Sequence, residues 1–91
     1  MATINIPTPL RKFTDQKRNF ETDRQTLSDA IDHLVATYPG VKNNLLDEEG
    51  KVRSFIKVYI EDNEVNPNEN GSVELSEDTE ISIVPAIAGG I

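Results

Sequence analysis

The chain has 91 residues, a length that suits one compact domain with a single modest core. Hydrophobic residues make up 36% of the chain, and they form neither a membrane-spanning run nor a signal-peptide pattern. Cysteine is absent, which excludes disulfides and thiolate chemistry and fits the cytoplasm. The formal net charge of -7 argues against nucleic acid and anionic membranes as partners; it would suit a partner with a basic face, or simply keep the protein soluble.

Two strands are predicted before the first helix. Residues 2–6 alternate between apolar and polar side chains, which predicts a strand that buries Ile4 and Ile6 and ends at Pro7. After a polar stretch, residues 16–21 predict a second strand that pairs with the first.

The clearest helix begins at Thr26. Its hydroxyl can cap the helix, and Asp29 follows three residues later. One apolar stripe then recurs at helical spacing, formed by Leu27, Ile31, Leu34, Val35 and Tyr38. Pro39 and Gly40 end the helix, because neither favours its continuation.

The second half of the chain predicts further strands. Val41, Leu45 and Leu46 fit a short helical turn, and residues 55–60 form the strongest strand pattern. Val65 begins a short partner strand, and a last strand covers residues 80–84 and ends at Pro85.

This order of elements predicts an α+β fold with one mixed sheet of four to five strands and one main helix across one face. The last strand would pair with the first in parallel and lie centrally. We therefore expect a domain over residues 1–85, followed by a flexible C-terminal tail over residues 86–91.

Strand alternation divides the sheet into two faces. The face towards the helix would carry Ile4, Ile6, Ile56, Val58, Ile60, Ile81 and Ile83. On the opposite face, Phe55, Tyr59 and Val84 would form an exposed apolar patch beside the tail, which predicts a partner-docking surface. The alternative is that the two aromatic residues pack on each other or on a loop.

Catalytic chemistry finds no support in the sequence. His33 is the single histidine, and without cysteine it cannot build a usual zinc site, so we expect a surface or boundary position. The acidic loops at residues 47–49 and 61–64 lack calcium-loop spacing, and no phosphate-binding glycine loop is present. We predict no catalytic residue, no metal site and no enzymatic activity.

The tail is the strongest functional candidate. Ala88, Gly89 and Gly90 have small side chains or none, so the backbone can thread a narrow channel. An enzyme that activates a terminal carboxylate needs this shape. The alternative is a frayed terminus with two glycines by chance.

The sequence resembles the ubiquitin-like sulfur carriers of the ThiS and MoaD family, and most closely the CysO-type carriers of cysteine biosynthesis. The resemblance covers nearly the whole chain and is carried by residues 6–11, Leu34 with residues 38–40, residues 55–65 and residues 81–90. It implies the β-grasp, or ubiquitin-like, fold.

The resemblance also implies a mechanism. An E1-like enzyme would use ATP to adenylate the Gly90 carboxylate, and a sulfur donor would convert the product to a thiocarboxylate. The acceptor would be a sulfur-accepting synthase, for CysO-type carriers a cysteine synthase that depends on pyridoxal phosphate. ATP and pyridoxal phosphate belong to these partners, and the carrier binds no cofactor.

One departure from the family is Ile91, because the family's active form ends on the residue equivalent to Gly90. We expect a peptidase to remove Ile91, and the resemblance implies a zinc metalloprotease of the JAMM type. The alternative is that Ile91 is an artefact of expression.

Two other functions fit the same sequence. A protein modifier would form an isopeptide bond to lysine through Gly90 by the same activation chemistry. A non-covalent binding module would dock through Phe55, Tyr59 and Val84, and would not need Gly89 to Ile91. The final sulfur acceptor and the oligomeric state stay open at this stage.

Overall fold

A mixed five-stranded sheet forms the centre of the structure, a computed structural model that describes residues 1–85. The strands are β1 (Ala2–Asn5), β2 (Asn19–Thr22), β3 (Ile56–Ile60), β4 (Asn63–Val65) and β5 (Glu80–Pro85), and they lie in the order β2-β1-β5-β3-β4. The predicted tail, residues 86–91, lies outside the described residues, so its expected flexibility stays a prediction.

Strand β5 occupies the middle of the sheet, as the sequence predicted. It pairs in parallel with β1, where Ile4 lies opposite Ile81, and antiparallel with β3, where Val58 lies opposite Ile83. The hairpins β1–β2 and β3–β4 are both antiparallel and form the two outer pairs. This arrangement confirms the α+β fold with a mixed sheet.

Helix α1 (Leu27–Thr37) begins at the predicted cap. The Thr26 hydroxyl accepts a hydrogen bond from the backbone N–H of Asp29 at 3.2 Å, which satisfies one amide that the first turn leaves without a helical partner. The buried stripe of α1 consists of Leu27, Ala30, Ile31 and Leu34. These side chains share one buried cluster with the strand isoleucines, so α1 covers one face of the sheet.

A short helical turn follows, as predicted, but in two parts. A 3₁₀ helix (Pro39–Val41) leads directly into α2 (Lys42–Leu45). Val41 and Leu45 are fully buried, and Leu46 nearly so. Val41, Leu45 and Leu46 thus belong to the core.

The segment between β1 and β2 differs from the polar stretch that the sequence predicts. It contains a 3₁₀ helix (Thr8–Phe13) that buries Leu10, and the Arg11 Nε donates to the Ile6 carbonyl at 3.2 Å. Pro9 fits because the first positions of a helix need no backbone N–H partner.

The predicted buried face of the sheet is largely confirmed. Six of its residues are buried: Ile4, Ile6, Ile56, Val58, Ile81 and Ile83. Ile60 is half-buried and packs against the same cluster. The alternation of apolar and polar side chains along the strands therefore predicts the buried face of the sheet correctly.

Candidate functional site

The candidate site begins where β5 ends. Pro85 is the last described residue, and it lies opposite Ile56, the first residue of β3. The predicted functional residues of the tail, Ala88, Gly89, Gly90 and Ile91, lie outside the described residues. Gly90 is the fifth residue after Pro85, so an extended chain would carry the Gly90 backbone at most about 17 Å from this point.

Two residues of the predicted docking patch share the open face of the sheet. Tyr59 lies opposite Ser82, and Lys57 lies opposite Val84, so Tyr59 and Val84 are diagonal neighbours across β3 and β5. Val84 is 42% exposed, while Tyr59 is half-buried. Whether a partner docks there stays a prediction.

Phe55 does not join them. It precedes β3 in a turn, and its side chain packs against the buried cluster. Strand alternation holds only within a strand, and β3 begins one residue later, at Ile56. The predicted alternation therefore extends one residue too far, and Phe55 does not lie on the open face as expected.

Phe55 instead lines an apolar groove at the root of the tail, which we call the tail-root groove. The groove has a volume of about 500 Å³. Its lining consists of Pro9, Leu10, Lys12, Phe13, Asn44, Phe55, Ile56 and Pro85. It therefore lies between the 3₁₀ helix Thr8–Phe13, α2, the start of β3 and the end of β5.

The residues of the 3₁₀ helix that line the groove were missed in the sequence analysis. Leu10 is buried, and Phe13 is half-buried with the Lys12 Nζ 5.2 Å from the centre of its ring. Leu10 and Phe13 are three residues apart, the repeat of a 3₁₀ helix. The spacing of Leu10 and Phe13 after Pro9 is the sequence signal that could have predicted this 3₁₀ helix.

The far end of β5 is acidic. Glu61, Asp62 and Glu80 line a shallow cavity there, together with Asn5 and Ser82. A carboxylate oxygen of Glu61 accepts the backbone N–H of Glu80 at 3.1 Å. Over residues 1–85, no group of three or more histidine, cysteine or acidic side chains is arranged to hold a metal ion.

His33 lies at the boundary between surface and core, as predicted. Its Nδ1 shares a hydrogen bond of 2.8 Å with the hydroxyl of Thr22, which is fully buried. The Phe20 ring packs edge-on against the His33 ring at a centroid distance of 5.0 Å. These contacts give His33 a structural role between β2 and α1.

A helix that could cross a bilayer is not found among residues 1–85, since none there combines the length and apolar character that a membrane span needs.

The sequence matches the model of the ThiS family over residues 4–90. The chain belongs to the ThiS family. The match reaches Gly90 and leaves out Ile91. It also covers each segment that the tail-root groove draws on, so the groove lies within the part that this ThiS-family chain shares with its relatives.

Relatives of this ThiS-family chain support the assignment along its whole length. It is 31% identical over 91 residues to the sulfur carrier protein CysO of Mycobacterium tuberculosis, a match that covers 98% of both chains. A chain in the crystal structure of the BexX/CysO complex of Amycolatopsis orientalis is 33% identical, with a TM-score of 0.84, covering 99% of this chain and 100% of that one.

The same fold extends to a more distant protein. The crystal structure of SAMP1 from Haloferax volcanii superimposes with a TM-score of 0.79 over 98% of both chains, at 18% identity. At that identity the likeness concerns the fold alone. The β-grasp architecture predicted for this ThiS-family chain is thereby confirmed.

Proposed function

We propose that this protein is a sulfur carrier that holds sulfur as a thiocarboxylate on Gly90. The observation that carries the proposal is the ThiS-family match, which runs through the whole domain and reaches Gly90. The full-length similarity to the sulfur carrier protein CysO supports the same function.

The chemistry proceeds in two steps. A carboxylate oxygen of Gly90 attacks the α-phosphorus of ATP in an E1-like enzyme, and pyrophosphate leaves to give an acyl-adenylate. Hydrosulfide, or a donor equivalent to it, then attacks the acyl carbon and displaces AMP, which yields the thiocarboxylate. Glycine suits this role because it has no side chain to hinder the acyl carbon.

The carrier needs no catalytic group of its own in this scheme. ATP binds to the activating enzyme, and pyridoxal phosphate binds to a sulfur-accepting synthase, for which cysteine synthase is the proposed identity. The folded domain contributes a rigid strand, β5, whose end lies at most about 17 Å from the reacting carboxylate.

Ile91 must be removed before activation, because the Gly90 carboxyl is otherwise held in a peptide bond. Hydrolysis of that bond adds water and frees the carboxylate. A JAMM-type zinc metalloprotease is the proposed peptidase.

The open sheet face with Tyr59 and Val84 remains the proposed docking surface for partners in general.

Intact mass spectrometry of the protein isolated from its own cells tests this function. We expect a species that ends at Gly90, with a fraction heavier by the mass difference between sulfur and oxygen. The matched control is a variant that ends at Gly89, which should never gain the sulfur mass.

Three outcomes would contradict the proposal. A mass that retains Ile91 throughout would mean that no carboxylate is freed, and would favour a non-covalent binding module. Lysine-linked adducts through Gly90 without any thiocarboxylate would instead favour a protein modifier. A sulfur mass on chains that retain Ile91 would show that Gly90 is not the carrier residue.

A further inference from the structure

The loop after β4 carries three exposed asparagines, Asn66, Asn68 and Asn70. The Asn68 side chain is held on both sides, because its amide donates to the Val52 carbonyl and accepts the Val52 N–H, each at 2.9 Å. The Asn66 side chain accepts the Asn68 N–H at 2.9 Å. Asn70 differs, since its side chain makes no hydrogen bond to any of residues 1–85. Its amide group is therefore the one that this loop leaves open to reaction.

The residues that follow the three asparagines differ in how available their backbone nitrogen is. Pro67 has no N–H, and Glu69 donates its N–H to the Asn66 carbonyl at 3.0 Å. Gly71 follows Asn70, and within the described part of the chain its N–H donates no hydrogen bond. Gly71 also has no side chain to hinder the approach of its nitrogen to the preceding side chain. An unengaged amide and an unengaged nitrogen thus meet at one position.

We propose that Asn70 is the site at which the folded protein deamidates spontaneously. The Gly71 nitrogen attacks the side-chain carbonyl carbon of Asn70, the bond from that carbon to the amide nitrogen breaks, and ammonia leaves with the Gly71 proton. Water then opens the resulting succinimide ring. Opening at the side-chain carbonyl gives aspartate, and opening at the main-chain carbonyl gives isoaspartate, in which the backbone runs through the side chain. Either product carries one more negative charge than Asn70.

The isoaspartate product would loosen the start of α1. The Gly71 carbonyl accepts the Ser28 N–H at 2.9 Å, and the Val73 carbonyl accepts the Leu27 N–H at 3.0 Å. Both N–H groups belong to the first turn of α1 and have no partner within the helix. The packing there is close, since a Cβ on Gly71 would lie 3.1 Å from both Ser28 Cβ and the Pro67 carbonyl oxygen. Isoaspartate lengthens the backbone before Gly71 by a CH₂ group, which displaces its carbonyl from Ser28.

Ageing of the purified full-length chain tests the assignment. The chain is incubated in mildly alkaline buffer, folded and in urea, and peptide mapping by mass spectrometry follows each asparagine. In the folded protein we expect Asn70 to lose its amide first, at a rate within about tenfold of that in urea, because exposed loops open at little cost. Asn68 is the internal control and should react only in urea. Asn70→Gln keeps an exposed amide but would need a larger ring, so it should retain its ammonia over the same period.

Asn70→Asp is the matched control for the effect on α1. It carries the same charge as the isoaspartate form but has an ordinary backbone, and Asn70 is exposed, so the fold should persist. The isoaspartate form is separated from aged protein by chromatography. We expect amide hydrogen exchange at Leu27 and Ser28, measured by NMR, to be about tenfold faster in the isoaspartate form than in Asn70→Asp.

Three results would overturn this inference. Retention of the Asn70 amide in the folded protein while the chain in urea loses it would show that the fold protects the site. Earlier reaction of any other asparagine in the folded protein would place the modification elsewhere. Equal exchange at Ser28 in the isoaspartate form and in Asn70→Asp would remove the effect on α1.

Discussion

Thr22 joins β2 to α1 through its buried side chain. Its side chain is fully buried, and its one hydroxyl accepts the Arg24 backbone N–H at 3.1 Å and bonds the His33 Nδ1 at 2.8 Å. We expect Thr22→Val to lower the free energy of unfolding by about 2 kcal/mol, because both partners lose a bond in a partly buried site. Urea denaturation followed by circular dichroism measures this.

Thr22→Ser is the matched control for that variant. It keeps the hydroxyl and removes only a methyl group, so we expect a loss of about 1 kcal/mol. If the valine variant is as stable as the serine variant or more so, the hydroxyl has no net stabilising role.

Single residues show how far the sequence can predict a contact. The boundary position of His33 follows from its place between the apolar stripe and the polar side of α1. Its bond to Thr22 does not, because that contact depends on how α1 packs against β2. Phe55 illustrates the same limit, because it lies in the turn just before β3, where strand alternation no longer determines the direction of its side chain.

Among the elements, helix α1 begins at a side-chain cap. The Thr26 hydroxyl accepts the Asp29 N–H, while the backbone of Thr26 forms an antiparallel bridge to Glu74 that a side-chain change leaves intact. We expect Thr26→Ala to reduce stability by about 1 kcal/mol in thermal or urea denaturation.

Thr37→Ala serves as the control at the other end of α1. The Thr37 hydroxyl donates to the His33 carbonyl at 2.9 Å, but it is exposed and water can replace it. We expect a change below about 0.5 kcal/mol. Equal losses at both ends would mean that the cap does not govern the start of the helix.

The elements differ in how well local sequence predicts them. Helix α1 combines a cap, a periodic stripe and a terminating Pro39, and these signals agree. The 3₁₀ helix Thr8–Phe13 lacks such agreement: Pro7 and Pro9 suggest a break, and its polar residues suggest a loop. Its existence depends on burial of Leu10 in the core, which only the assembled fold provides.

The molecule as a whole is organised around β5. Ile83 is buried against β3 and the helix-side cluster, while the next residue, Val84, is 42% exposed on the open face. We expect Ile83→Ala to cost about 3 kcal/mol of unfolding free energy. Val84→Ala should cost less than about 0.5 kcal/mol, and similar losses for both would contradict the assigned faces.

At this scale the sequence predicts a great deal. Alternation predicts which residues of β1 and β5 are buried, and the parallel register places two of them, Ile4 and Ile81, opposite each other. The tail-root groove is less predictable because it joins segments distant in sequence: Pro9, Phe13, Phe55 and Pro85 meet only when the sheet is complete.

The central position of β5 also has a consequence for synthesis. Until residues 80–85 have been made, β1–β2 and β3–β4 are two separate hairpins with no strand between them, and isolated hairpins are marginal in water. We therefore expect the nascent chain to stay unfolded until β5 joins them. Products that stop before β5 would be degraded and could not compete with finished carriers for their enzymes.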